Sequence, residues 1–180
     1  MNAVALLEKY LAGPDALAVV QEHSRLVAAK ALAIAHSLGD ASLDRTFIEE
    51  AALLHDIGVG GTASPHIFCH GAEPYICHGI IGRKILEAEG FPRHALVCER
   101  HIGVGLTIED IRSQGLPLPL REMTPVSLEE RIISFADMFF SKKTGAIHVE
   151  KTPDQVRENL RRFGGHKVEI FEEWLREFGT

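Results

Sequence analysis

Apolar side chains recur every three or four residues along most of this 180-residue chain. That spacing is typical of helices with one face against a core. The clearest example covers residues 15–38, where Val20, Val27 and Ile34 share a stripe with His23. Sustained alternation of apolar and polar residues, which would indicate strands, is missing. We therefore predict an all-α fold, a helical bundle.

Capping residues, glycines and prolines divide the chain into predicted helices. We expect a single domain over 1–180, with a core at about 15–145 and C-terminal helices over 153–178 packed on it. A loop over 57–77 is longer than most connections in a compact domain, and such loops are often functional. The predicted helices cover 15–38, 44–56, 78–89, 92–101, 107–115, 127–143, a segment from Thr152 or Asp154, and 167–178.

Composition limits the classes of partner and compartment. The net charge of −6 argues against binding to a nucleic-acid duplex, which needs a basic surface, but it allows a small anionic substrate. The three cysteines form no CxxC pair, and their odd number argues against a disulfide framework. The N-terminal residues lack a basic and apolar leader, and no apolar run approaches the ~20 residues that a membrane span needs. We expect a cytoplasmic protein that does not enter the membrane.

Metal-binding side chains occur on the apolar faces of three separate helices. Asp137 lies in the apolar run ISFADMFF, where a carboxylate is costly to bury unless it is paired or bound to a metal. His23 lies on an apolar stripe, and His55-Asp56 follows the apolar residues AALL. Imidazole and carboxylate together favour zinc, manganese or iron over calcium. These four residues therefore predict a buried metal site.

The same residues resemble a known family. The order His23, His55-Asp56, Asp137 is similar to that of the HD-domain superfamily of metal-dependent phosphohydrolases, and AALLHDIG resembles the signature of its HDIG subgroup. The resemblance covers roughly residues 15–145. It implies an HD-domain-like helical bundle around a buried metal site and the hydrolysis of a phosphoester.

Two further histidines, His78 in HGIIGRKILEAEGF and His101 in ERHIGVGL, resemble those of family members that hold two metals. The resemblance implies a first ligand group of His23, His55, Asp56 and Asp137. A second ligand group would be Asp56, His78 and His101, with Asp56 bridging both ions as the catalytic residue. The cofactor would be one or two divalent ions, iron or manganese first, with zinc, nickel and magnesium as further options. The cyclic-dinucleotide branch has a Gly-Tyr-Pro run after its late histidine, and HIGVGLT lacks it, which argues against that substrate.

We predict a phosphohydrolase that acts on a nucleotide or similar small phosphoester through metal-activated hydroxide. One alternative is an HD-type di-iron oxygenase, since iron accepts the same ligands. Another is a non-catalytic nucleotide-binding sensor. The amphipathic C-terminal helix can cover the domain's own core or form a homodimer. Candidate substrate contacts, each of which is also consistent with a solvated side chain, are Lys30, His66, His70, Arg100 and Lys142.

Overall fold

A computed structural model describes residues 2–11, 13–143 and 145–179. Over these residues it contains nine α-helices and one two-stranded antiparallel hairpin. This confirms the predicted all-α fold, and none of the described helices is long and apolar enough to cross a membrane. The helices are α1 (Ala3–Tyr10), α2 (Pro14–Leu38), α3 (Arg45–Leu54), α4 (His78–Ala88), α5 (Pro92–Arg100), α6 (Ile108–Ser113), α7 (Leu128–Met138), α8 (Pro153–Arg161) and α9 (Gly165–Phe178).

Local signals explain where the helices that carry the predicted ligands begin and end. Helix α2 starts with Pro14, whose fixed φ suits the first helical position, and Gly39 follows its last residue in the left-handed conformation. The carboxylate of Asp44 accepts a hydrogen bond from the backbone N–H of Phe47 and caps α3. Helix α3 ends at Leu54, so the predicted continuation to residue 56 is wrong. His55 and Asp56 instead follow the helix, where the backbone is free to direct both side chains inward.

The segment predicted as a loop over 57–77 has short regular pieces. It contains 3₁₀ turns at Ile57–Gly61, Pro65–Ile67 and Tyr75–Cys77, and the hairpin of β1 (Ala63–Ser64) and β2 (Cys69–His70). Each piece has at most five residues, too few for periodicity to reveal in the sequence.

Helix α7 ends at Met138, five residues before the predicted end at Lys143. Lys151 accounts for the early end. Its ammonium group donates to the carbonyl oxygens of Met138 and Phe140, and its backbone N–H donates to that of Phe139. These contacts satisfy carbonyl groups that a continued helix would otherwise have to bond. The chain therefore turns back after Asp137.

The largest apolar core lies between α2, α3, α7 and α9. Phe171 of α9 is fully buried and stacks on Phe135 of α7, with 5.6 Å between the ring centroids. Trp174 and Phe178 are also buried. The C-terminal helix therefore covers this chain's own core, while the homodimer stays a prediction.

Glycines bring α4 unusually close to its neighbours. A Cβ atom on Gly58 would lie 2.1 Å from the carbonyl oxygen of His78 and 2.4 Å from the backbone nitrogen of Gly82. A Cβ atom on Gly79 would lie 2.7 Å from the carbonyl oxygen of Cys98 on α5. Only glycine permits backbones to approach so closely. This packing holds the start of α4 against the segment that carries Asp56.

Candidate metal centre

Three elements, α2, the end of α3 and α7, direct the residues of the first ligand group to one point. His23 lies near the middle of α2, His55 and Asp56 follow α3, and Asp137 is the penultimate residue of α7. His23 Nε2 lies 2.9 Å from Asp137 Oδ1 and 3.3 Å from His55 Nε2. His55 Nε2 lies 2.9 Å from Asp56 Oδ2. These four ligand atoms all lie within 4.8 Å of one another, as a shared ion would require.

The second ligand group lies on the other oxygen of the same carboxylate. Asp56 Oδ1 is 3.5 Å from His78 Nε2 and 3.7 Å from His101 Nε2. The two imidazole nitrogens are 3.1 Å apart. Asp56 therefore faces one ligand group with Oδ2 and the other with Oδ1, as a bridging carboxylate would.

Three of the histidines are oriented in the same way by the backbone. The Nδ1 atoms of His55, His78 and His101 lie 2.6, 2.7 and 2.8 Å from the carbonyl oxygens of the residues three positions earlier. A proton on Nδ1 that is donated to a carbonyl leaves the Nε2 lone pair free, which is the usual arrangement of a histidine ligand. Each histidine follows or begins a helix, where such a carbonyl is available.

Burial and charge strongly perturb the ionisation of these groups. Burial acts to raise the pKa of Asp56, but His55 and Lys142 outweigh it and hold this pKa well below the ordinary value. Burial acts to lower the pKa of His55, but Asp56 and Asp137 outweigh it and raise the pKa to about 10. Burial, reinforced by His55, lowers the pKa of His101 to about 3. The centre thus combines ionised carboxylates with one imidazole, His55, that favours the charged form and another, His101, that favours the neutral form.

The arrangement fits a divalent cation. Within each ligand group the imidazole nitrogens and carboxylate oxygens lie within 4.8 Å of one another. Among the described residues, neither oxygen of Asp56 has a hydrogen-bond partner of regular geometry, although the Lys142 ammonium lies 2.6 Å from Oδ2. A buried carboxylate is costly unless positive charge compensates it, and divalent ions would do so at both of its oxygens. The described residues of both ligand groups can therefore hold divalent metal ions.

One side of this centre opens to a cavity of about 510 Å³. Asp137 lies at the junction, with 17% of its side chain exposed, whereas the other five ligand side chains are at most 5% exposed. Lys142 also lines the cavity, and burial does not discharge it, because Asp56 and the nearby Tyr75 and Asp137 raise its pKa above the ordinary value. The remaining lining residues are His66, Tyr75, Phe140, Ser141 and Lys143.

Sequence reasoning missed Tyr75. Its ring stacks on His78 with 4.7 Å between centroids, and its carbonyl oxygen faces His78 Nδ1. The only available signal was its position three residues before His78, the same offset as that of Ala52 before His55.

Of the five predicted substrate contacts, the structure brings Lys142 and His66 to this cavity. Lys30 pairs with Glu150 at 2.7 Å and lies over the Phe139 ring. Arg100 donates to both carboxylate oxygens of Glu130. His70 lines a separate depression of about 160 Å³ next to Phe68.

Curated relatives include an uncharacterised protein of Methanocaldococcus jannaschii, which is 38% identical over 155 residues, covering 84% of this chain and 81% of the relative. A tRNA (cytidine(56)-2′-O)-methyltransferase of Picrophilus torridus is 35% identical over 99 residues. That match covers 54% of this chain and 25% of the methyltransferase, so the chain resembles only a part of this longer protein.

Among solved structures, the HD domain of the L. monocytogenes phosphodiesterase PgpH superposes with a TM-score of 0.54 at 16% identity. The match covers 96% of this chain and 94% of the PgpH chain. The same domain in complex with cyclic-di-AMP gives a TM-score of 0.53 at 15% identity, over 100% and 98% of the two chains. At this identity the likeness concerns the fold. The sequence matches the HD domain family over residues 20–140, and the chain therefore belongs to that family.

Proposed function

We propose that this chain is a metal-dependent phosphohydrolase that acts on a nucleotide or another small phosphoester. One observation carries the proposal. The two oxygens of Asp56 face two different groups of metal-competent side chains, with His55 Nε2 at 2.9 Å from Oδ2 and His78 Nε2 at 3.5 Å from Oδ1. A carboxylate shared in this way is suited to two ions about 3.5–4 Å apart, the spacing used for phosphoryl transfer.

The first ligand group would hold one ion and the second ligand group another, with Asp56 common to both. Iron or manganese is proposed first, with zinc as a further option, because all three accept imidazole together with carboxylate. When bound, such ions supply an activated water and neutralise the charge on the phosphoryl oxygens. The protein's own contribution is to hold the ligands rigidly, since His55, His78 and His101 each bond a backbone carbonyl. Burial of five of the six ligands shields them from bulk water, and the cavity borders the sixth, Asp137.

Two comparisons support a nucleotide-like substrate. The structurally similar PgpH domain has been solved with cyclic-di-AMP bound. Proteins with partial similarity to this chain are named as tRNA methyltransferases. Both names concern nucleotide chemistry. We also propose that α1 to α9 form a single HD domain, since Phe171 and Phe178 of α9 pack against Phe135 of α7.

The test is phosphate release from a panel of nucleotides, dinucleoside polyphosphates and aryl phosphates, with Mn²⁺ or Fe²⁺ added. We expect metal-dependent release that falls by at least about 10³-fold in Asp56→Asn. Asp154→Asn is the matched control, because this substitution removes the same charge away from the centre. The Asp154 carboxylate lies on α8 with 91% of its side chain exposed. The proposal fails if Asp56→Asn releases phosphate as fast as the wild type.

The same preparations separate the two alternatives. An oxygenase would consume dissolved oxygen with a candidate substrate and would show an electron-paramagnetic signal from coupled iron. A sensor would bind a nucleotide tightly without turning it over. Either result, combined with no phosphate release, would replace the hydrolase proposal.

A further inference from the structure

Lys142 occupies an unusual position for a lysine. Its ammonium group lies 2.6 Å from Asp56 Oδ2, and only 12% of its side chain is exposed. Burying an ammonium group is costly unless a partner compensates. Lys142 follows Asp137 by five residues, and the early end of α7 lets the chain carry it back to the centre. The lysine is thus held at the junction of the ligand groups and the cavity.

An ammonium group has three N–H donors, and that of Lys142 faces the Asp56 carboxylate and Tyr75. A donor remains for a group that enters from the cavity, which Lys142 also lines. A phosphoryl oxygen is the natural acceptor there, because lysine binds phosphate as a point charge. Lys143 and Ser141 line the same cavity and add a second cation and a hydroxyl group.

The charge balance at this point favours a dianion. Asp56 and Asp137 are the two carboxylates of the combined ligand groups, and the histidine ligands bind metal as neutral imidazoles. Two carboxylates offset only half of the charge of two divalent ions, and Lys142 adds a further positive charge. A phosphomonoester carries roughly two negative charges above its second pKa of about 6. A phosphodiester carries one and leaves more of the positive charge uncompensated.

Access to the centre is from the cavity side, where Asp137 lies. Five of the six ligand side chains are at most 5% exposed, and Asp137, at 17%, is the ligand that borders the cavity. A terminal phosphate carries one ester substituent, which can extend into the cavity while the phosphoryl group faces the ligands. An internal diester carries two substituents and needs room for both on the same side.

We propose that the substrate is a phosphomonoester and that Lys142 determines this specificity by binding a non-bridging oxygen of the terminal phosphate. The proposal rests on the phosphohydrolase function proposed above. In the reaction the oxygen of water forms a new bond to phosphorus, and the bond between phosphorus and the ester oxygen breaks. The leaving alcohol takes up a proton, and the products are inorganic phosphate and the alcohol.

The experiment compares p-nitrophenyl phosphate with bis(p-nitrophenyl) phosphate, which have the same leaving group, using protein loaded with Mn²⁺ at pH 8. We expect the wild type to prefer the monoester in kcat/KM. Lys142→Met should lose about 10²-fold on the monoester, the typical effect of removing one charge-stabilising donor, and much less on the diester. Lys142→Arg should recover part of the loss, and Lys84→Met, which removes an exposed lysine of α4, should change neither rate.

Bound manganese per chain and the circular dichroism spectrum are measured for every variant, so that a folding defect is separated from a change in specificity. If Lys142→Met does not fold, the comparison of Lys142→Arg with Lys142→Gln replaces it. An equal loss of kcat/KM on both substrates, or a wild-type preference for the diester, would overturn the proposed role of Lys142. Neither result would contradict the proposed phosphohydrolase function. No hydrolysis of either substrate or of the nucleotide panel would overturn both proposals.

Discussion

Gly58 should be essential for the second ligand group although it binds nothing itself. The added methyl group of Gly58→Ala would lie 2.1 Å from the carbonyl oxygen of His78 and 2.4 Å from the nitrogen of Gly82. Cβ contacts below 3.0 Å essentially never occur, and both of these neighbours are backbone atoms of α4. The first turns of α4 must therefore move away, and His78 moves with them.

The size of the effect follows from the kind of contact. Overpacking typically lowers the free energy of unfolding by about 1–3 kcal/mol. We expect about 3 kcal/mol here, because the added methyl group would clash with backbone atoms of α4. For a chain of this length, that corresponds to a fall in Tm of roughly 6–12 °C. Movement of His78 lengthens its 3.5 Å approach to Asp56 and its 3.1 Å approach to His101. We therefore expect manganese content after dialysis to fall from about two ions per chain to about one.

Thermal unfolding followed by circular dichroism, together with elemental analysis, measures both effects. Gly165→Ala is the matched control, because no atom lies within 4 Å of its added Cβ and its backbone is helical. That variant should stay within about 0.5 kcal/mol of the wild type. The reasoning is refuted if Gly58→Ala keeps two manganese ions and melts within about 2 °C of the wild type.

Three further predictions concern packing outside the centre. Lys167→Met should lower the free energy of unfolding by about 3 kcal/mol in urea titrations, because it removes the ammonium group 2.5 Å from the buried carboxylate of Asp110. Burial acts to raise the pKa of Asp110, but hydrogen bonds from Lys167 and Thr107 outweigh it and lower the pKa, so its stabilisation should be present above about pH 4 and lost as the pH falls further. Asp110→Asn should flatten this part of the stability profile, and an unchanged slope would contradict the assignment. Phe171→Ala should cost about 3–5 kcal/mol in the same titrations, since its ring is fully buried against Phe135, and a loss below about 1 kcal/mol would contradict the packing.

The ligand groups were predictable from the sequence because their signals are local. His23 lies on an apolar helical stripe, and Asp137 lies in an apolar run, so each had to face the interior. His55-Asp56 follows an apolar helix end. The structure brings all six predicted ligand residues into two overlapping groups. Their role as ligands stays a prediction until metal is measured.

The position of Lys142 was harder to predict, because it depends on where α7 ends. In a helix continued to residue 143, a residue five positions after Asp137 would point about 140° away from it. The structure ends α7 at Met138, because Lys151 bonds the carbonyl groups beyond Asp137. The partner of Arg100 is equally non-local, since Glu130 lies thirty residues away along the chain. Contacts of this kind leave no periodic trace in a sequence.

The central claim is that Asp56 joins two metal ions into one phosphohydrolase centre. Its most direct test is phosphate release from the best substrate of the panel while Mn²⁺ is added in known equivalents to metal-free protein. We expect little release up to about one equivalent per chain and a rise to a plateau at about two. A plateau at one equivalent would contradict the shared centre, and no release at any ratio would contradict the hydrolase.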